Sequence, residues 1–480
     1  MIFSSFQFAV FFLITVSIYY SIPHRFRWMM LLGVSYYFYM CWKVEYIFLL
    51  LGSTFVNYII GLRMSAIPEK KERGKYLWFS ILFNLGMLFF FKYFNFFSKS
   101  ITEVFRVWNI LYDIPLFHML LPVGISFYTF QALGYTVDVY NGRTKAEQHL
   151  GIFALFVAFW PQLLAGPINR AHLLMPQFRK EHPFDYQGVT DGLRLMLWGL
   201  MKKIIIADHL AVYVNRVYNH VGDYQGIPLI LATIFYTIQI YCDFSGYTDM
   251  ARGGAKVMGY DLMENFNHPY FSTSFRDFWQ RWHISLSTWF RDYLYIPLGG
   301  KRVAKWRWYY NLFITFLLSG LWHGADWTFV IWGAFHGGVL ILENMTGNFQ
   351  QRLADRLFPD KKSRWNHAVQ VGITMTMVCF AWLFFRANSV TDAFSIIRKM
   401  ILIDPGQLGV SVVGAYSFIF MIFVILALFL VEMTEGKEKI HEVVGRFPLL
   451  VRWTIYTGSV WAVFILSIFG VKQEFIYFQF

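Results

Sequence analysis

The stretch RDFWQRWHISLSTWFRDYLYIPLGG, residues 276–300, and the run SGLWHGADWTFVIWGAFHG, residues 319–337, concentrate polar and ionisable side chains in an otherwise apolar chain. On one continuous helix, five polar residues of the first stretch would share a stripe of roughly 80°. These residues are Arg276, Gln280, His283, Ser287 and Arg291. We therefore predict an interfacial or re-entrant helix whose aromatic face packs in lipid or protein and whose polar stripe faces water or a cavity.

His323 stands between Trp322 and Gly324 within an apolar run. An ionisable residue at membrane depth is costly and usually faces a cavity or the bundle interior, so His323 is a candidate functional residue. The alternative is a core histidine whose ring is satisfied by a backbone carbonyl. Asp326 follows three residues later, where it would either orient this imidazole or supply the N-terminal charge of a following helix.

The composition is typical of a polytopic membrane protein. Of 480 residues, 57% are hydrophobic and only 15% are charged, whereas about 25% of the residues of soluble domains are charged. A membrane span needs about 20 apolar residues, and thirteen apolar runs, several of them short or interrupted, lie between residues 4 and 470. We predict an all-α, multi-pass membrane protein with about 11 transmembrane helices, folded as a single membrane-embedded domain over residues 1–480.

The net charge of +13 does not indicate a nucleic-acid partner, because the basic clusters fall between apolar runs, as cytoplasmic loops of membrane proteins do. From Arg252 to Arg307, nine basic residues stand against four acidic ones. This excess predicts that the region is cytoplasmic or opens to the cytoplasm. A basic, water-accessible vestibule suits an anionic donor, although the distribution of positive charge in any polytopic protein explains most of these residues.

Metal, redox and ATP-driven chemistry find no support in the sequence motifs. The three cysteines lie far apart, and neither a zinc-protease pattern nor a phosphate-binding glycine loop is present. Four histidines of the central region do not share the close spacing of metal ligands on one helix. They are His268, His283, His323 and His336. We therefore predict no metal site.

Other charged residues have structural interpretations. Asp277 and Arg281 are spaced to form an ion pair along a helix. Asp243 and Asp249 follow a predicted span, and we expect them in helix-cap and loop roles. His336 lies thirteen residues after His323 and would face away from it on one continuous helix.

Six further motifs accompany the two central runs. They are LPVGISFYTFQALGYTVDVY (121–140), AGPINR (165–170), YCDFSGYTDMARG (241–253), NFNHPY (265–270), FFRA (384–387) and the ending EFIYFQF (474–480). Together the motifs resemble the membrane-bound O-acyltransferase (MBOAT) superfamily, and within it the bacterial alginate O-acetyltransferase (AlgI-like) branch, over nearly the whole chain. The resemblance implies a bundle of transmembrane helices with re-entrant or interfacial helices around a central buried chamber.

The resemblance also implies roles for individual residues. His323, matched residue by residue through SGLWHG, would be catalytic, either as a general base or as a covalent carrier of the acetyl group. His283 matches the second histidine of the family pattern and would orient or exchange protons with its partner. Five more residues would line the chamber or bind the phosphates of the donor: Arg276, Gln280, Arg291, Trp322 and Asp326.

The function implied by the resemblance is transfer of an acetyl group from a cytoplasmic donor, acetyl-CoA, across the bacterial inner membrane. The acceptor would be an extracytoplasmic polysaccharide such as alginate, with an extracytoplasmic SGNH-type or acetyltransferase partner completing the transfer and no bound cofactor. The alternatives are a D-alanyl or fatty acyl cargo, or a non-enzymatic transporter or scaffold subunit of an envelope complex. A transporter would predict repeat symmetry between the two halves, which the sequence lacks.

Overall fold

The computed structural model describes residues 1–110, 112, 114, 116–117, 121–357, 364–402, 404, 408–435, 439–467 and 475–478. Within these ranges the chain is all-helical, because α-helices are joined by short 3-10 and π-helical turns and no strand occurs there. The all-α prediction is confirmed. The chain forms two compact units, Met1–Leu193 with Ala251–Met263, and Arg194–Met250 with Glu264–Phe480. The single membrane-embedded domain stays a prediction.

Helices of the first unit are joined by polar contacts inside an apolar core. They are α1 (Phe6–Ser21), α2 (His24–Met40), α3 (Ile47–Ser65), α4 (Lys70–Leu88), α5 (Phe94–Val107), α6 (Ile125–Tyr140), α7 (Leu150–Ala158), α8 (Trp160–Leu163) and α9 (Ala171–Arg179). Between α3 and α4, Asn57 Oδ1 accepts hydrogen bonds from Ser80 Oγ at 2.8 Å and from Asn84 Nδ2 at 2.9 Å. Buried interhelical hydrogen bonds of this kind join helices where apolar contact alone does not favour association.

The second unit contains the two central runs. Helix α10 (Tyr186–Met201) reaches it from the first unit, and α12 (Ile227–Val257) leads back. Its other helices are α11 (Asp208–Tyr218), α13 (Phe275–Arg281), α14 (Ile284–Phe290), α15 (Lys305–His323), α16 (Trp327–Leu357), α17 (Arg364–Arg386), α18 (Val390–Met400), α19 (Ala415–Thr434), α20 (Ile440–Gly445) and α21 (Leu449–Leu466). Ser274 and Ser389 begin α13 and α18, since each side chain accepts a backbone N–H of the first turn.

Helices α15 and α16 form a tight hairpin. A Cβ atom at Gly320 would lie 2.3 Å from the carbonyl oxygen of Phe329, and one at Gly333 would lie 2.4 Å from that of Phe316. Only glycine allows the two backbones to approach so closely. The hairpin turns between His323 and Trp327, so the assumption of one continuous helix through His323 and His336 is wrong.

Six helical segments of the described chain are long and apolar enough to cross a membrane. They are Val44–Ser65, Lys70–Val107, Ile227–Val257, Arg364–Arg386, Ala415–Thr434 and Leu449–Leu466. The predicted number of about 11 is not confirmed by this set. Several predicted spans fold as helices shorter than the roughly 20 residues that a span requires, including α7 with 9 residues and α6 with 16.

Candidate active site

The two histidines singled out by the sequence lie together in the second unit. His323 is the last residue of α15, and His283 immediately precedes α14. Their ring centroids are 6.3 Å apart, and the side chains are 3% and 0% exposed, respectively. The two imidazoles are therefore close enough for one small chemical group to contact both of them.

The predicted helix is interrupted at His283, so the predicted polar stripe does not continue past this residue. Trp282 is extended and His283 adopts the left-handed conformation, with φ of 41° and ψ of 54°, so α13 and α14 are separate helices. The prediction of one continuous helix from Arg276 to Arg291 is wrong, because a rotation of 100° per residue holds only along an unbroken helix. A left-handed residue other than glycine costs roughly 1–2 kcal/mol, and such strain concentrates at functional sites.

Aromatic rings surround the two imidazoles. The centroid of Phe244 lies 4.7 Å from that of His283, and the centroid of Trp332 lies 5.1 Å from that of His323. Trp322, one of the predicted lining residues, is buried and contacts both histidines, at 6.1 Å from His283 and 5.0 Å from His323. These walls keep bulk water away from the imidazoles, and electrostatic interactions are stronger in such surroundings.

The imidazole of His283 is fully buried. Among the residues that the structure describes, no hydrogen-bond partner faces either ring nitrogen. Burial lowers the pKa of His283, which lies outside the six candidate spans, to about 3. The ring is therefore neutral at physiological pH, with one nitrogen able to accept a hydrogen bond and the other able to donate one. Both ring nitrogens are therefore free to pair with a bound group.

The predicted charged lining residues lie at exposed positions. Arg276 donates a hydrogen bond to Asn344 Oδ1, and Arg291 pairs with Asp292 at 2.8 Å. Gln280 is exposed as well. The buried histidines and these exposed side chains therefore do not share one stripe, and the assignment of Arg276, Gln280 and Arg291 to donor binding stays a prediction.

Asp326 caps helix α16. Its side chain is exposed, and its Oδ1 accepts the backbone N–H of Thr328 at 2.9 Å. Of the two interpretations of Asp326, the structure supports the charge at the start of a helix. The predicted ion pair of Asp277 with Arg281 is confirmed, with 2.7 Å between Oδ1 and Nε.

His336 is also buried, but it differs from His283 in having a hydrogen-bond partner among the described residues. Its Nδ1 accepts a hydrogen bond from Trp279 Nε1 at 3.2 Å. The ring of Trp332 contacts both His336, at 4.4 Å, and His323, at 5.1 Å. His336 therefore packs behind the wall of the site.

Tyr477 completes the aromatic surroundings, and the sequence pattern assigned it no role. It lies in the C-terminal turn Ile476–Phe478, with its ring 5.7 Å from that of His323 and 6.2 Å from that of His283. Its hydroxyl has no hydrogen-bond partner in the described part of the chain. The available signal was the motif EFIYFQF, in which an aromatic segment follows the last apolar run.

A cluster of buried charges adjoins the site, and we call it the ionic cluster. It consists of Lys202, Lys203, Asp208, Asp243 and Asp249. Lys203 Nζ lies 2.7 Å from Asp243 Oδ1 and 2.8 Å from Asp208 Oδ1. Lys202 Nζ lies 2.6 Å from Asp249 Oδ2.

The cap and loop roles predicted for Asp243 and Asp249 are wrong. Both residues lie inside the 31-residue helix α12, which tolerates their charges because the two lysines neutralise them. The lysines belong to a π-helical turn, Lys202–Ala207, and such turns are frequent at functional sites. The missed signal was the pair of lysines within the apolar run 190–207.

One of the hydrogen bonds of the ionic cluster holds the C-terminal turn, whose Tyr477 ring contacts both histidines. Asp243 Oδ2 accepts the backbone N–H of Ile476 at 2.7 Å. This contact fixes the C-terminal turn one residue before Tyr477. Asp243 therefore both neutralises Lys203 and holds the C-terminal turn in place.

Comparisons with known proteins agree on one family. Residues 149–391 match the family model described as MBOAT, membrane-bound O-acyltransferase family. The chain is similar to a probable alginate O-acetylase AlgI of Pseudomonas aeruginosa, with 41% identity over 413 residues that cover 85% of this chain and 76% of that protein. A peptidoglycan O-acetyltransferase of Helicobacter pylori is 34% identical over 410 residues, or 80% of this chain and 74% of that protein. A teichoic acid D-alanyltransferase of Bacillus subtilis is 28% identical over 284 residues, or 57% of this chain and 71% of that protein.

Proposed function

Because this chain belongs to the membrane-bound O-acyltransferase family and is thus a multi-pass membrane O-acyltransferase, we propose that its cargo is an acetyl group taken from cytoplasmic acetyl-CoA. The acceptor is an extracytoplasmic polysaccharide, with alginate as the first candidate. Relatives at 41% and 34% identity are named as O-acetylating enzymes, which favours acetyl over other acyl groups. The donor is a substrate, and no bound cofactor takes part.

The observation that carries this proposal is the close pair of His323 and His283, buried within aromatic walls. Acyl transfer needs a base for the hydroxyl of the acceptor and a dry site that protects the thioester from hydrolysis. A neutral imidazole is a suitable base at physiological pH. His283, with its neutral ring 6.3 Å from that of His323, is placed to orient the reacting groups or to relay a proton.

His323 has two possible roles in this scheme. As a general base it takes the hydroxyl proton of the acceptor while the oxygen attacks the acetyl carbon, the thioester C–S bond breaks, and the proton passes to the leaving thiolate. As a carrier, an imidazole nitrogen attacks the thioester carbon, the C–S bond breaks, and the thiolate leaves with the ring N–H proton. The acceptor oxygen then attacks the acetyl carbon, the C–N bond breaks, and the hydroxyl proton returns to the imidazole. Both routes require His323 itself.

The setting of the reaction is part of the same proposal. We place the site in a central chamber of a bundle of about 11 transmembrane helices with re-entrant or interfacial helices, in the bacterial inner membrane. Arg276, Gln280 and Arg291 would bind donor phosphates at its cytoplasmic mouth, which the nine basic residues between Arg252 and Arg307 support. An extracytoplasmic SGNH-type or acetyltransferase partner would complete the transfer to sugar hydroxyls, and the acceptor hydroxyl at His323 would then belong to the group that hands the acetyl on to the polysaccharide.

A D-alanyl cargo is the second candidate, since a teichoic acid D-alanyltransferase matches 57% of the chain. A fatty acyl cargo gains no support from the names of these three relatives. The non-enzymatic transporter and scaffold alternatives lose their basis, because the chain is an O-acyltransferase.

The test is His323→Ala in cells whose own copy has been deleted, with His367→Ala as the matched control because His367 is exposed. Esters released from envelope polysaccharides by mild base are measured as acetate and as D-alanine, alongside the membrane level of each variant. We expect acetate to fall to the deletion level in His323→Ala alone. A selective loss of D-alanine would replace the acetyl cargo, and unchanged esters with normal insertion would contradict the catalytic assignment.

A further inference from the structure

His283 has a left-handed backbone conformation that neighbouring residues must stabilise. Positive φ occurs at three non-glycine residues of the described chain, and His283 combines it with complete burial. A strained residue persists only when its neighbours fix the backbone on both sides. The residues that fix His283 therefore control where its imidazole lies.

Three hydrogen bonds bracket His283, and two of them end on Asn265. The backbone N–H of Asn267 donates to the carbonyl oxygen of Arg281 at 3.0 Å. On the other side, the N–H of Ile284 donates to the backbone carbonyl oxygen of Asn265 at 3.0 Å, and the N–H of Ser285 donates to Asn265 Oδ1 at 3.2 Å. The segment 265–267 thus holds the chain two residues before His283 and at the two residues after it.

The side chain of Asn265 is suited to this role. Asn265 is 0% exposed, and its Nδ2 lies 3.5 Å from Thr248 Oγ1 on helix α12, which orients the amide so that Oδ1 faces Ser285. The same helix contributes Phe244, whose ring meets the His283 ring edge-on at 4.7 Å. Helix α12 therefore holds both the imidazole and the amide that fixes its backbone.

We propose that Asn265 is the positioning residue of His283, because its side-chain and backbone oxygens hold the left-handed turn that directs the imidazole toward His323. This inference rests on the proposed function of His283. Asn265 does not contact the acyl group or the acceptor. Its loss would leave the chemistry of the site intact and would displace one of its two imidazoles.

The test compares Asn265→Ala with Asn267→Ala. Asn267 is the matched control because its side chain is exposed and its contribution comes from the backbone N–H, which the substitution keeps. We expect the turnover number of Asn265→Ala to fall about 100-fold with little change in KM, as a displacement of about 1 Å does in other enzymes. Asn267→Ala should match the wild type, and Asn265→Asp, which keeps the acceptor oxygen, should recover most of the activity.

Variants in a His283→Ala background separate positioning from a general structural role. If Asn265 acts through His283, then Asn265→Ala causes no further loss once the imidazole is absent. Equal losses in both backgrounds, or wild-type turnover in Asn265→Ala alone, would overturn the inference while leaving the function of His283 intact. Wild-type turnover in His283→Ala would instead remove the proposed function on which the inference rests.

If Asn265→Ala does not insert into the membrane, Thr248→Val tests the same inference. This substitution removes the hydroxyl beside Asn265 Nδ2 at nearly constant side-chain volume. A fall of about 10-fold in turnover, absent in the His283→Ala background, would support the positioning role. Turnover equal to the wild type in Thr248→Val, together with full activity of Asn265→Ser, would overturn it.

Discussion

The ionic cluster and His283 lie in the same unit and differ in how their polar atoms are paired. In the ionic cluster, Lys203 lies within 2.8 Å of two carboxylates, and Lys202 lies within 2.6 Å of a third. Around His283 the neighbours are aromatic rings, and no partner for its nitrogens lies in the described ranges. Removing one partner of a buried ion pair leaves an uncompensated charge and destabilises the fold, whereas a neutral polar group held among apolar rings can pair with a substrate.

This contrast predicts that substitutions in the two regions separate activity from stability. Changes at the histidines should reduce turnover and leave folding nearly intact. Changes in the ionic cluster should reduce the amount of folded protein. The following variants test this separation, in order of decreasing expected effect.

The largest effect is expected for His323→Gln, with His336→Gln as its matched control. Both histidines are buried in the same unit, but His336 accepts a hydrogen bond from Trp279 that glutamine can also accept. Loss of a general base or nucleophile lowers the rate by about 1,000-fold, so acyl transfer by His323→Gln should nearly cease. Transfer per inserted molecule is the measurement. A comparable loss in His336→Gln would show that burial of a histidine, and not its place beside His283, decides the effect.

The next effect is a loss of stability in Lys203→Met. The substitution removes the lysine from between Asp208 and Asp243, and breaking a buried ion pair costs about 3–5 kcal/mol. Denaturant titration in mixed micelles measures the change in unfolding free energy. Adding Asp208→Asn and Asp243→Asn should restore much of the stability, because both side chains are then neutral and the amide oxygen introduced at position 243 can still accept the N–H of Ile476. No recovery in the triple variant would mean that the ionic cluster acts through its geometry and not through its charge.

The same contrast explains which features could be read from the sequence. His283, His323 and Trp322 were found because family motifs contain them, and the matches to the family confirm that resemblance. The break at His283 was missed because the residues that follow it donate hydrogen bonds to Asn265, 18 residues before His283 in the sequence. The ionic cluster was missed because its lysines and two of its aspartates are about 40 residues apart, so each charge looked like the end of an apolar run. Helical periodicity describes contacts three or four residues apart, and these contacts are not of that kind.

A smaller effect is the pH dependence that His283 gives to stability. Burial holds the pKa of His283 near 3 in the folded chain, whereas the unfolded value is about 6.5. Below pH 6.5 only the unfolded chain takes up this proton, so His283 makes folding less favourable as the pH falls from 6.5 toward 3. At pH 5.5 this contribution is ~1.4 kcal/mol. The wild type should therefore lose more stability than His283→Ala between pH 7.5 and pH 5.5, and identical losses would contradict the buried, neutral state.

The smallest effect is expected at Asp326, and it decides between the two roles that the sequence left open. As the cap of α16, Asp326 accepts the N–H of Thr328, so Asp326→Ala should cost about 1 kcal/mol of stability without changing turnover. Ser389→Ala is the matched control, because Ser389 caps α18 in the same way through the N–H of Asp392. Equal, small losses in the two variants would establish that Asp326 acts on its helix alone. A 10-fold fall in turnover for Asp326→Ala, but not for Ser389→Ala, would mean that this exposed carboxylate influences His323. The separation between a charged, structural region and an uncharged, reactive region would then not hold at the start of α16.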